Sequence, residues 1–196
     1  MTVDIISETR ALIKRALQGD PALASLAVVG RTPDTLTATI SPGIPPGKIG
    51  RTQYSPAPPF SREVLVDLAL RAQRRRWQRY DPRTASIPDP VRSVVDARLH
   101  DRLGVWPEHR SGWCDLIEAA VDMIEETGGD PRTSQIKEKF GDLRWYTHGL
   151  EGVVGGQIVD AAEHLSACLC EKCGALGRTL KDSGWYRMRC GSHEYE

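Results

Sequence analysis

Apolar residues recur at helical spacing in several stretches of the chain, and each stretch predicts an amphipathic helix. Over 3–18, Ile5, Leu12, Ile13, Ala16 and Leu17 share one face, and "GDP" at 19–21 ends the run. The period then changes. "LAVVGRTPDTLTATI" sets two runs rich in Val, Thr and Leu around "RTPD", which predicts a β-hairpin near 25–40. Helical spacing returns in "REVLVDLALRAQRRRWQRY", with Ser61 as its cap, Val66, Leu70 and Trp77 as its buried stripe, and Asp81-Pro82 as its stop. A further helix is expected from Asp89, with Pro90 at its first position. Val91, Val94, Val95, Leu99 and Leu103 would form its buried face.

The clearest helix covers 113–127. Trp113, Leu116, Ile117, Ala120, Val121, Ile124 and Thr127 keep the helical period, while Asp115, Glu118, Asp122, Glu125 and Glu126 form an acidic opposite face that reads as the wet side. "TSQIKEKFGDLRWYTHG" fits two periods. Ile136, Phe140 and Leu143 suit a helix, but "LRWYT" alternates, and Gly141 can separate two states. We read it as strand-rich, with "LRWYT" paired in a small sheet. A last helix at about 156–168 has Ile158, Ala162, Leu165 and Leu169 on one side.

Between the hairpin and the second helix lies "SPGIPPGKIGRTQYSPAPPF". Proline lacks an N–H donor and fixes φ, so this stretch is neither a helix interior nor a central strand. The chain therefore divides into a helix-and-hairpin unit (1–42), a proline-rich linker or arm (43–60), a helical core with a short strand segment (61–150), and a helix leading into a small zinc-ribbon-like module (151–196). The fold class is α+β.

Composition narrows the functional classes. The 196 residues carry 26 Lys+Arg and 26 Asp+Glu, so no global charge draws the chain to nucleic acid or anionic lipid. "MTVDIISETR" lacks the basic start and apolar run of a signal peptide, and no window reaches the roughly 20 apolar residues of a membrane span. A cytoplasmic setting is expected. Five cysteines, an odd number, then favour metal or thiols over a disulfide framework.

Four of the metal-ligating residues cluster at the C-terminus. Cys170-x-x-Cys173 makes one knuckle and Cys190-x-x-His193 a second, sixteen residues later. Thiolates and imidazole at this spacing suit tetrahedral zinc, and "GRTLKDSGWYRMR" between them looks like a short hairpin. A catalytic zinc keeps a position open for water, whereas four protein ligands fill the shell, so the expected role is structural. Cys168, two residues before Cys170, is an alternative to His193 as the fourth ligand. Asp160, His164 and Cys168 also line up along the last helix, a pattern more often a solvated face than a site.

Arg71, Arg75 and Arg79 share one face of the second predicted helix, with Arg74, Arg76, Trp77 and Tyr80 nearby. Guanidinium forks suit phosphate oxygens, and aromatic rings stack on bases, so this stripe is the candidate nucleic-acid contact. It also suits a solvated helix end or an acidic partner, and the acidic face of 113–127, in this chain or another, is a candidate for that partner. His100, His109 and His148 are isolated, and no nucleophile elbow or phosphate-cradling Gly-rich loop is visible. Binding to nucleic acid or to a protein is the leading expectation. The alternative is a small metal-dependent enzyme such as a nuclease or hydrolase.

The string "GWCDLIEAA…QIKEKFGDLRWY…AAEHLSACLCEKCGALG…GWYRMRC" resembles small proteins of bacteriophages and bacterial mobile elements. In that family an "IKEKFG-x-LR-aromatic-Y" stretch precedes a helix and a "CE-x-CG" zinc knuckle. The resemblance covers roughly residues 112–193. It implies zinc and an accessory or regulatory role in a mobile-element setting. His193 stands where that pattern would place a cysteine.

Overall fold

The computed structural model describes residues 4–46, 60–80, 86–150, 154–182 and 184–195. Most of the proline-rich arm, the Asp81-Pro82 stop and the middle of the "DSG" turn lie outside the described residues. The fold is α+β, with five helices and three antiparallel hairpins among those residues, each hairpin a sheet of its own. No described helix is long and apolar enough to cross a membrane.

Helix α1 (Ile5–Ala16) starts where the Asp4 carboxylate accepts from the Ser7 amide at 2.9 Å, and it buries Ile5, Leu12, Ile13 and Ala16. The hairpin of β1 (Ala27–Val29) and β2 (Thr37–Thr39) follows, with Val28 opposite Ala38. Its connection closes tightly: a Cβ on Gly30 would lie 2.1 Å from the Thr35 carbonyl oxygen, so only glycine fits. The hairpin unit is fixed to the next helix by Asp20, whose buried carboxylate takes two hydrogen bonds from Arg62, at 2.6 and 3.0 Å.

Helix α2 (Arg62–Gln78) begins at the Ser61 cap, as the sequence suggests. It is buried on more than one face, through Leu65, Val66, Leu68, Ala69, Leu70, Ala72 and Trp77, because it is the central helix. Helix α1, helix α4 (Cys114–Glu126) and helix α5 (Val154–Ser166) all pack on it, and α4 and α5 pack on each other. One continuous apolar core results.

Helix α3 (Arg92–Leu103) departs from expectation. It starts at Arg92, not after Asp89, and Val91 takes the cap position without a capping side chain. Val91 and Val94 are 65% and 55% exposed, and only Val95, Leu99 and Leu103 face the core. Two apolar residues at the start of the pattern therefore misassign the face by one turn. Gly104 ends the helix in the left-handed conformation.

The ambiguous segment is a hairpin. Strands β3 (Thr133–Lys139) and β4 (Asp142–Thr147) pair with Ile136 opposite Trp145 and Lys137 opposite Arg144. Ile136, Leu143 and Trp145 turn inward. Both outer edges are occupied. Glu108 takes the edge of β3 through backbone hydrogen bonds, and Glu163 and Ser166 of α5 accept the Trp145 and Leu143 amides of β4. The last hairpin, β5 (Arg178–Asp182) and β6 (Trp185–Arg189), lies between the two Cys/His pairs, as read from the sequence.

Candidate metal centre

Helix α5 ends at Ser166 and delivers the chain into the first knuckle. There Cys170 donates its amide to the Ala175 carbonyl at 2.7 Å, and Gly174 donates back to Cys170 at 2.8 Å. Gly174 has φ +73°, and a Cβ on it would meet the Gly112 carbonyl oxygen at 2.8 Å. The second knuckle follows β6, where a turn of 3₁₀ helix from Gly191 to His193 swings His193 back over Cys190.

These turns bring Cys170, Cys173, Cys190 and His193 together, with all four donor atoms within 4.8 Å of one another. Cys173 Sγ lies 3.7 Å from Cys190 Sγ, and His193 Nδ1 lies 3.5 Å from Cys170 Sγ and 3.3 Å from Cys190 Sγ. A tetrahedron with metal–sulfur bonds of about 2.3 Å and metal–nitrogen bonds of about 2.0–2.1 Å has S···S edges of about 3.8 Å and S···N edges of about 3.6 Å. The donor atoms therefore stand close to the corners that a tetrahedral ion requires. A disulfide would need about 2.05 Å, and none joins the five cysteines. Cys168 is buried but belongs to no such cluster among the described residues; its carbonyl receives the Gly177 amide instead.

The knuckle favours thiolate. A hydrogen bond from the Cys173 thiol, helped by the Cys190, Lys172 and Cys173 amides, outweighs the cost of burial and holds the Cys170 thiol well below its ordinary value. The same shared proton pushes Cys173 upward. A divalent cation bound here would take the place of that proton.

The knuckles are docked onto the helical core and do not hang from it. Gly112 donates to the Glu171 carbonyl at 2.9 Å, Ser111 Oγ to Lys172, and the Trp113 indole to Leu169. A Cβ on Gly112 would fall 2.2 Å from the Cys170 carbonyl oxygen. Arg76 of α2 reaches the Cys173 carbonyl at 3.1 Å while its other nitrogen binds Glu8 of α1. Glu171, inside the first knuckle, forms a buried ion pair with Arg189, which precedes Cys190, and a second at 3.1 Å with Arg110. Neither Glu171 nor Arg189 was singled out by the sequence. Charged residues beside a metal motif look solvated until their partners are known.

The arginine stripe meets the acidic face of 113–127 in this same chain, one of the partners the sequence allows. Arg71 pairs with Glu126 at 2.7 Å and with Asp67 at 3.1 Å, Arg75 with Asp122 and Glu118, and Arg79 with Asp115. From the other side, Arg98 and Arg102 of α3 bind Glu118, Asp122 and Glu125. The acidic face of α4 is thus an internal partner lying between two rows of arginines, and Asp115 and Glu118 are buried, not wet. Burial outweighs the arginines at Asp115 and Glu118 and pushes both carboxyls up. At Asp122 the hydrogen bonds from Arg102 and Arg75 outweigh burial and pull the carboxyl down.

Among the described residues, Asp160, His164 and Cys168 belong to no group placed to hold a metal ion. His164 Nε2 donates to the Ala16 carbonyl at 2.7 Å and its ring packs on Phe60. Sequence spacing also does not reveal that His109 and Cys114 are both buried. Burial pushes the His109 imidazole down to about 4 and the Cys114 thiol up to about 12. Both are neutral, the opposite of the thiolate–imidazolium state that a nucleophilic cysteine needs.

In comparisons with known proteins, no family model, no curated protein and no solved structure matches this chain.

Proposed function

We propose that this chain is a zinc-stapled accessory or regulatory protein of the cytoplasm, acting by binding a target and not by catalysis. The observation that carries this reading is the set of four protein donors at Cys170, Cys173, Cys190 and His193, spaced as a tetrahedron. Three thiolates and one imidazole suit zinc, and four protein ligands leave no position for an attacking water. The ion would supply cohesion: it closes the β5–β6 loop onto the end of α5 and fixes both against Gly112 and Arg76. Inert Cys114 and His109 add to the case against covalent chemistry. The likeness of the 112–193 motifs to phage and mobile-element proteins supports an accessory setting of that kind.

Purified protein should contain about one zinc per chain, following the four-ligand count. Cys173→Ser and Cys190→Ser should lose it, while Cys168→Ser and Cys114→Ser should keep it. Full zinc after Cys190→Ser contradicts the assignment. A zinc-bound water, or turnover blocked by a small zinc-binding inhibitor, would replace this reading with the nuclease or hydrolase alternative.

A further inference from the structure

Two hairpin regions that meet beside the metal centre carry cations and aromatic rings with a chemistry of their own. The β3–β4 turn is Phe140-Gly141, with φ +58° and +79°. Two consecutive positive φ values are the requirement of a tight two-residue hairpin turn, whose first position ordinarily takes Asn, Asp or Gly. Phenylalanine stands there instead, in a conformation that its Cβ disfavours, with its ring 64% exposed. Neither folding nor packing calls for that ring. A strained, exposed aromatic is the kind of outlier that points to function.

The turn rests on the last hairpin: a Cβ on Gly141 would lie 3.3 Å from the Arg187 amide nitrogen and from the Tyr186 carbonyl carbon. The β3–β4 register puts Lys137, Lys139, Arg144 and Tyr146 on the face opposite the buried Ile136, Leu143 and Trp145. Lysine ammonium groups sit over three rings: Lys139 over Phe140 at 5.5 Å, Lys137 over Tyr146 at 5.8 Å, and Lys181 over Tyr186 at 5.5 Å. Among the described residues, Lys137, Lys139, Lys181 and Arg187 make no ion pair. Arg144 is engaged by Asp142 and Glu163. The contrast with α2 is direct, because there each of the three stripe arginines already has a carboxylate.

We propose that this surface binds single-stranded nucleic acid, with phosphates on Lys137, Lys139 and Lys181, the last of which shares a face with Tyr186, and unstacked bases on Phe140, Tyr146 and Tyr186. Charge complementarity selects a polyanion. The interleaved rings select a single strand, whose base faces are open, over a duplex. The proposal rests on the reading of the chain as a binding protein and names its partner class and surface.

The test is fluorescence anisotropy of the zinc-loaded full chain with a labelled 20-nucleotide oligo-dT and with the matching duplex. Three neutralised phosphates give a log-affinity against log-salt slope of about −2.1 on a single strand, so affinity should fall roughly 20-fold between 50 and 200 mM salt. Phe140→Gly should weaken oligo-dT binding about fivefold or more, the loss of one stacked base. Glycine adopts this turn without strain, so the variant should fold at least as well as the parent. Lys137→Gln, Lys139→Gln and Lys181→Gln together should remove most of the slope. No oligo-dT binding at 50 mM salt, preference for the duplex, or equal affinity of parent and Phe140→Gly overturns the proposal. Zinc content measured on the same samples keeps the two readings apart: zinc-loaded protein that ignores oligo-dT defeats only the surface, and protein without zinc defeats the stapled reading.

Discussion

Glu171 and Arg189 form an ion pair that is almost wholly removed from solvent, and each is the immediate neighbour of a candidate metal ligand. Glu171 follows Cys170 and Arg189 precedes Cys190, so the pair joins the two knuckles by a contact separate from the Cys/His donors. Three guanidinium contacts therefore hold the first knuckle: Arg189 and Arg110 on Glu171, and Arg76 on the Cys173 carbonyl.

Removing the carboxylate should expose the cost of the buried cation. Glu171→Gln should lower the unfolding free energy of the zinc-loaded protein by about 3–5 kcal/mol, because Arg189 is left without its counter-charge. Arg189 Nε and Nη2 already lack hydrogen-bond partners, so little else can take over. Urea unfolding should also show that Glu171→Leu with Arg189→Met is less damaging than Glu171→Gln alone. A loss below about 1 kcal/mol for Glu171→Gln would place the pair among exposed bridges.

Gly112→Ala tests the docking of the knuckle on the core. The added Cβ meets three backbone atoms of the knuckle, at 2.2, 2.6 and 2.6 Å, and none can move without shifting the metal ligands. The variant should lose several kcal/mol, as expected for overpacking against rigid backbone. Its zinc should pass to a chelator faster than that of the parent. Unchanged chelator kinetics would mean that the metal module holds its shape without the core.

The helical interface makes a prediction opposite to that of a solvated stripe. Arg75→Gln removes a guanidinium shared by Asp122 and Glu118, the latter buried. It should cost about 2 kcal/mol, between the values for exposed and buried pairs. The same substitution should leave oligo-dT affinity unchanged. A stable Arg75→Gln protein with weakened DNA binding would return the nucleic-acid contact to α2.

Asp160 gives a pH dependence of definite sign. Burial, with Glu163 nearby, pushes its carboxyl up from 3.8 to about 6. The folded chain thus holds the proton more tightly than the unfolded one. Its contribution favours folding at low pH and becomes a cost as pH rises through that window. Asp160→Asn mimics the protonated form. It should stabilise the protein at pH 7.5 by about 1–2 kcal/mol, after allowance for partial solvent screening, and have almost no effect near pH 3.5. Thermal unfolding at the two pH values checks this, and an equal effect at both would remove the titration from the account.

The parts of the fold legible in the sequence are those encoded locally. The Ser61 cap, the period of α4, the two knuckles and the alternation of "LRWYT" depend on neighbours within a few residues. The face of α3 is hard to read because Val91, at the cap, and Val94, in the first turn, are apolar yet exposed. Long-range charge pairing was the larger gap. Asp115 and Glu118 look like the wet side of an amphipathic helix because nothing in their own helix announces Arg79 and Arg75, 36 and 43 residues away. Phe140 fits a helical pattern by spacing alone, and only the backbone reveals that it occupies a left-handed turn position.

Zinc K-edge X-ray absorption on the purified protein tests the central claim most directly. The expected spectrum shows one zinc per chain with three sulfurs at about 2.3 Å and one imidazole nitrogen at about 2.0–2.1 Å, unchanged in Cys168→Ser. A shell of four sulfurs that loses one in Cys168→Ser would put Cys168 in the place of His193. An oxygen ligand from water would contradict the closed structural site.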